Sequence, residues 1–191
     1  MRRIPQAQFQ TAPWKNGGGI THEIARHRDG DALVWRISLA EVTTDGPFSS
    51  FPGLTRILTV IDGAGLDLHG PQGVLPARPL APVRFAGDTP VDGRLLDGPC
   101  RDVNVIFDGH CVEASVSVLR AGDMASATGV LALAGAVRVG ALPLPVGDFA
   151  WTDRETVRAE ADGLALLIDI APVRCQTRWA LAGAVAKGAF P

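Results

Sequence analysis

The chain has 191 residues, of which 47% are hydrophobic and 20% charged, and its 18 Lys plus Arg against 20 Asp plus Glu give a formal net charge of −2. This balance indicates a folded globular protein, either one large domain or two small packed ones, and excludes a disordered chain. With no basic run, nucleic acid is excluded as an expected partner, and the 22 Gly and 14 Pro residues, scattered without a collagen period, exclude a helical bundle.

The start, Met1-Arg2-Arg3-Ile4-Pro5-Gln6, lacks the apolar run of a signal peptide. The segment Pro13-Trp14-Lys15-Asn16-Gly17-Gly18-Gly19 follows. Three consecutive glycines are expected where a chain turns sharply or lets another group approach closely, and successive exposed N–H groups there can hold a carboxylate or phosphate. The plainer reading is a turn before a strand. The segment matches neither GxxxxGKS nor a strand-flanked GxGxxG.

Strands are predicted next. Ile20, His22 and Ile24 alternate with Thr21, Glu23 and Ala25, and Leu33, Trp35, Ile37 and Leu39 alternate with Val34, Arg36, Ser38 and Ala40. Period-2 runs of this kind are half-buried strands. Thr55 to Ile61, the turn Asp62-Gly63-Ala64-Gly65 and Leu66 to His69 predict a hairpin. Further strands are expected at Val83 to Ala86, Val103 to Phe107, Ala114 to Leu119, Val130 to Leu133, Thr156 to Glu160 and Leu164 to Ile170. Ten short strands at such spacing predict a sandwich or barrel. Short helices are expected only at Phe48 to Phe51 and Trp179 to Lys187. The strand-turn-strand pattern of Arg56 to Leu66 is echoed by Thr128 to Arg138, which suggests two β-modules, with few clustered polar residues in the second.

Other chemistry is sparse. Thr128 to Val137, the longest weakly charged apolar stretch, is too short for a bilayer span, so no membrane partner is expected. Cys100, Cys111 and Cys175 have no CxxC spacing and read as reduced thiols in a cytoplasmic protein. His22, His27, His69 and His110 form no HxH, HxxH or HExxH, so no metal is expected, and no GxSxG is present. Polar residues worth attention lie in the first half. Arg36 and Ser38 share a strand face opposite Trp35 and Ile37. Arg56, within an otherwise apolar run, must snorkel, pair with a carboxylate or face a polar cavity. Asp102 and Asn104 share a face opposite Val103 and Val105, and a buried Asn needs partners. Glu23 and Asp102 would form an acid/base pair if they met.

In combination these segments resemble the HutD/Ves family. The likeness is carried by Trp14-Lys15-Asn16-Gly17-Gly18-Gly19 with Thr21 and Glu23, by Trp35 to Ala40, and by Asp45-Gly46-Pro47-Phe48-Ser49-Ser50-Phe51-Pro52-Gly53 with Arg56. It continues through Phe85-Ala86-Gly87-Asp88, Leu96-Asp97-Gly98-Pro99 and Arg101-Asp102-Val103-Asn104-Val105. The turn Phe107-Asp108-Gly109 departs from the more basic segment of many relatives. The resemblance implies an all-β bicupin: a cupin-like β-barrel module over 1–109 that carries the pocket, and a second over 110–191 packed on it. It implies a cytoplasmic modulator of histidine utilisation that binds a small acidic metabolite, formylglutamate- or urocanate-like, without a cofactor or metal. Asn16, Thr21, Glu23, Arg36, Ser38, Arg56, Asp102 and Asn104 are the implied ligand-binding positions. Guanidinium forks suit a carboxylate, and Asn16 or Asn104 suits an amide or formyl oxygen. Two alternatives stay open. One is a metal-independent isomerase or hydrolase with Glu23 as base; the other is an interaction module whose apolar second half supports a homodimer.

Overall fold

The structure, a computed structural model, describes residues 1–173; the helix expected at Trp179 to Lys187 lies outside them. The first half contains β1 (Arg2–Ile4), β2 (Gln10–Pro13), β3 (Gly19–Asp29), β4 (Ala32–Val42), β5 (Gly46–Pro47), β6 (Thr55–Asp62), β7 (Leu66–Gly70), β8 (Gly73–Ala77), β9 (Val83–Ala86), β10 (Asp92–Leu95) and β11 (Cys100–Phe107). The second contains β12 (Val112–Arg120), β13 (Met124–Ser126), β14 (Gly129–Ala134), β15 (Val137–Val139), β16 (Leu142–Leu144), β17 (Phe149–Trp151), β18 (Thr156–Ala159) and β19 (Leu164–Pro172). Among the described residues the only helical turn is a 3-10 turn at Gln6–Gln8.

All ten expected strands are present within a few residues. The helix expected at Phe48 to Phe51 is not. That segment runs between Pro47 and Pro52 as an irregular loop, and its amides bond outward, Phe48 N–H to Val91 O at 3.0 Å and Phe51 N–H to Gly87 O at 2.7 Å. Donors committed to a neighbouring segment are not available for an i to i−4 ladder.

The strands form four sheets, ordered β2-β3-β4-β11-β6-β9, β5-β10-β7-β8, β1-β17-β14-β19-β12 and β13-β18-β15-β16. Adding eight to each number in β4-β11-β6-β9 and β5-β10-β7-β8 gives β12-β19-β14-β17 and β13-β18-β15-β16, so the two halves share one connectivity. The N-terminal strand crosses over: Arg2, Arg3 and Ile4 pair with Trp151, Ala150 and Phe149 of β17. Closed barrels, expected from the resemblance, are not formed, because the ladders end at sheet edges. The outer strands β8 and β16 carry Pro76 and Pro143, which have no N–H to extend a ladder.

Alternation along β11 shows how the layers are built. Val103, Val105 and Phe107 enter a core shared with Phe149, Trp151, Leu166 and Ile168 of the second half, together with Trp35 and Ile37 of β4. Trp35 and Trp151 meet edge-to-face at 5.4 Å, and Phe149 and Trp151 at 4.9 Å. Full burial of each such aromatic stabilises by roughly 1.5–3 kcal/mol, so the two large sheets are held back to back. On the opposite face of β11, Cys100 joins Val42, Leu58, Val60, Leu66 and Leu68 beneath the small sheet of the first half. Asp102 and Asn104 share that face and are left within it as polar groups.

Candidate binding site

Between the large sheet of the first half and the loop from Phe48 to Phe51 lies an inner chamber of about 110 Å³, lined by Thr21, Arg36, Ser38, Phe48, Phe51, Arg56, Asn104 and Ile106 among others. It adjoins an outer cleft of about 830 Å³ that shares Trp14, Thr21, Arg36, Phe48 and Ser49 and adds Lys15, Asn16, Glu23 and Arg26. Seven of the eight expected positions therefore line the chamber or the adjoining cleft. The exception is Asp102, which is fully buried behind Asn104 and touches the cavity only through it.

The chamber is organised by Arg56, which β6 places opposite Ile106 of β11. Its Nη2 donates to Asn104 Oδ1 at 2.7 Å and its Nη1 to Ser49 O at 3.3 Å. Asn104 Nδ2 donates in turn to Asp102 Oδ1 at 2.5 Å. Because Asp102 accepts from the amide nitrogen, the Asn104 oxygen is turned toward the guanidinium. Phe48, Phe51 and Phe85 surround Arg56, with ring centroids 5.4, 5.5 and 5.1 Å from Cζ. Arg56 is 4% exposed; burial, countered by Asp102 and reinforced by Arg36, lowers its pKa to about 10, so it stays charged at neutral pH. Burial raises Asp102 to about 7, against the attraction of Arg56 and the Asn104 hydrogen bond, and its Oδ2 has no hydrogen-bond partner.

Arg36 stands at the junction of chamber and cleft. Its Nε lies 3.4 Å from Glu23 Oε2, its Nη2 donates to Ser38 Oγ at 3.5 Å, and Cζ is 5.8 Å from the Phe51 ring centre. Desolvation lowers its pKa; Glu23 opposes that shift and Arg26 adds to it. The other Glu23 oxygen lies 3.4 Å from Arg26 Nε. This arrangement corrects the simple alternation expected for the strand from Ile20. The β3–β4 register shifts between Glu23 and Ala25, so Ile24 and Ala25 both enter the core while Arg26 comes beside Glu23. A β-bulge does this by placing two residues opposite one.

The glycine loop works differently from an anion nest. Gly17 N–H is taken by Trp14 O at 3.0 Å and Gly18 N–H by Asn16 Oδ1 at 3.1 Å, so neither amide is offered to a ligand. Gly19 is required by close approach, because a Cβ there would collide with Glu41 O and press on the Trp14 ring. That fit seats Trp14, whose Nε1 donates to Thr21 Oγ1 at 2.8 Å and whose ring meets Phe48 edge-on at 5.8 Å. Asn16 and Thr21 thus spend polar groups on the wall. Sequence reasoning missed Lys15, Arg26 and the three phenylalanines as site residues. The available signal was Phe48 and Phe51 around Ser49-Ser50, in a turn-rich segment too polar for a core.

The corresponding face of the second half is filled. Matching Ser38↔Asn104 to Ser117↔Leu167 in the two ladders sets Leu167 where the first half has Asn104 and Ala165 where it has Asp102. Leu167 and Ala165 pack with Val130, Ala132 and Leu119 under the small sheet. Among the described residues, no cluster of three or more His, Cys, Asp or Glu is placed to hold a metal ion, and no helix is long and apolar enough to cross a membrane. Cys100 is buried, and desolvation with nearby Asp102 and Asp62 raises its thiol to about 12.

Comparison with known proteins bears on the fold and the family. An uncharacterized 21.2 kDa protein in the hutC 3′ region of Pseudomonas putida is 44% identical over 104 residues, 52% of this chain and 54% of that one. Protein Ves of Escherichia fergusonii is 31% identical over 111 residues, 55% and 56% of the two chains. The chain thus spans about half the length of these curated relatives. The solved structure of HutD from Pseudomonas fluorescens SBW25 superimposes with a TM-score of 0.77 at 31% identity, covering 90% of this chain and 98% of that one. At 9% identity, an oxalate decarboxylase from Bacillus subtilis gives a TM-score of 0.59 over 91% of this chain and 79% of that one, a likeness of fold alone. The fold is all-β and cupin-like. The HutD family pattern matches residues 6–168, and the chain belongs to the HutD family.

Proposed function

We propose that the protein is a cytoplasmic, two-module, cupin-like receptor for a small acidic metabolite, acting as a modulator of histidine utilisation. The observation that carries the reading is the charge of the cavity wall. Lys15, Arg26, Arg36 and Arg56 line chamber and cleft, with Glu23 the one carboxylate among the lining residues. Two of these guanidinium groups are largely withdrawn from water, where an uncompensated cation is costly, and an arriving carboxylate offsets that cost with charge-assisted hydrogen bonds. The repeated strand order supports two modules, of which the first carries the site and the second, filled with Val, Leu and Ala, supports it. The link to histidine utilisation rests on family membership and on the hutC-region relative.

The site favours binding over turnover. Both Glu23 oxygens lie in ion pairs, which suits a group that positions arginines better than a free general base. Calorimetric titration with urocanate and N-formylglutamate tests the reading. Saturable binding of at least one acid is expected, weakened about tenfold or more by Arg36→Ala. Absence of binding by either acid, or undiminished affinity in Arg36→Ala, would overturn it. Product analysis after prolonged incubation is expected to return the acid unchanged.

A further inference from the structure

The outer pair of arginines points to the kind of acid, an inference that rests on the acid-binding reading above. Arg26 and Arg36 are direct partners in the β3–β4 ladder. Like charges placed directly opposite on neighbouring strands repel, and such a pair is ordinarily avoided. Here the bulge at Ile24 and Ala25 creates it, by carrying Arg26 onto the face that already bears Glu23, Arg36 and Ser38. Glu23 spans the two guanidinium groups and meets each at Nε, 3.4 Å away. The Nη1/Nη2 edges, which form the bidentate fork, are left by Glu23. Among the described residues Arg36 uses one of these nitrogens for a long 3.5 Å contact to Ser38, and Arg26 uses neither. Both residues line the outer cleft and also a neighbouring cleft of about 660 Å³.

We propose that this twin fork receives a dicarboxylate, one carboxylate on Arg36 at the chamber mouth and the other on Arg26. The charges agree. Lys15, Arg26 and Arg36 against Glu23 leave a surplus of two positive charges at the cleft, which a dianion neutralises and a monoanion does not. The geometry agrees as well, since one Glu23 carboxylate reaches both guanidinium groups at once, 3.4 Å from each, which keeps the two forks near enough for a short flexible diacid to engage both. Glu23 is a positioning residue, holding both forks by their Nε edges. Arg26 is the specificity-determining residue, because it separates dicarboxylates from monocarboxylates without entering the inner chamber.

The test is titration of the full chain with glutarate and with butyrate, which differ by one carboxylate. The wild type is expected to bind glutarate at least about tenfold more tightly. Arg26→Gln is expected to weaken glutarate about tenfold or more and to leave butyrate within about twofold. Arg26 is half exposed, and an unchanged far-ultraviolet circular dichroism spectrum checks that the variant folds. Equal affinity for the two acids in the wild type, or equal weakening of both in Arg26→Gln, would overturn the dicarboxylate assignment while leaving acid binding intact. Failure of glutarate, butyrate, urocanate and formylglutamate alike to bind would overturn acid binding and this inference with it.

Discussion

Replacing Asp102 with Asn tests whether the buried relay behind the chamber has been read correctly. Desolvation raises the folded-state pKa of Asp102 to about 7, from an ordinary value of 3.8. A group whose pKa rises on folding favours the native state most at low pH, and that contribution disappears as pH rises through the folded value. At 1.36 kcal/mol per pKa unit, the Asp102 contribution falls by about 3 kcal/mol between pH 5 and pH 8. Asn keeps the acceptor that Asn104 Nδ2 requires and has no charge to bury. The stability of wild type relative to Asp102→Asn is therefore expected to decline by that amount across this range. Urea denaturation of both proteins at pH 5, 6, 7 and 8 measures the difference, with unchanged m-values confirming the same transition. A pH-independent difference, or one in which wild type gains on the variant as pH rises, would refute the reasoning.

Three further outcomes are expected. Asn104→Leu strands a buried guanidinium nitrogen and a buried carboxylate oxygen together, so it should cost about 2–5 kcal/mol in urea unfolding, more than its loss of hydrogen bonds alone. Phe149→Ala, in the core between the large sheets, should cost about 3–5 kcal/mol and lower one common transition, whereas separate transitions would show that the halves are not coupled. In a protein with Cys111 and Cys175 replaced by Ser, Cys100 should resist an aromatic disulfide reagent at pH 8 until denaturant is added, because its thiol is buried and raised to about 12.

Alternation made the long strands legible, and with them much of the site. In β4 and β11 it separated Arg36 and Ser38 from Trp35 and Ile37, and Asp102 and Asn104 from Val103 and Val105, which are the faces the structure presents to the cavity and to the inter-sheet core. What alternation assumes is also what hid Arg26. An inserted residue shifts the phase of everything beyond it, and nothing in Glu23-Ile24-Ala25-Arg26 marks the bulge. Strands of two to five residues, such as β5, β8 and β16, have too few periods to register, and the prolines in each argue against a strand. The cage around Arg56 draws Phe48, Phe51 and Phe85 from a loop and an edge strand, so its closure depends on tertiary packing alone. Asp102 shares a strand face with Asn104, as alternation predicts, but its depth was not legible, because face assignment says nothing about which of two neighbours on a strand meets solvent first.

The place where an acid binds is the most direct test. A crystal structure of the protein with saturating glutarate should show one carboxylate within hydrogen-bond distance of Arg36 and the second within reach of Arg26, in the cleft between β3 and the Phe48 loop. Density for the acid elsewhere on the molecule, with the cleft containing only solvent, would contradict it.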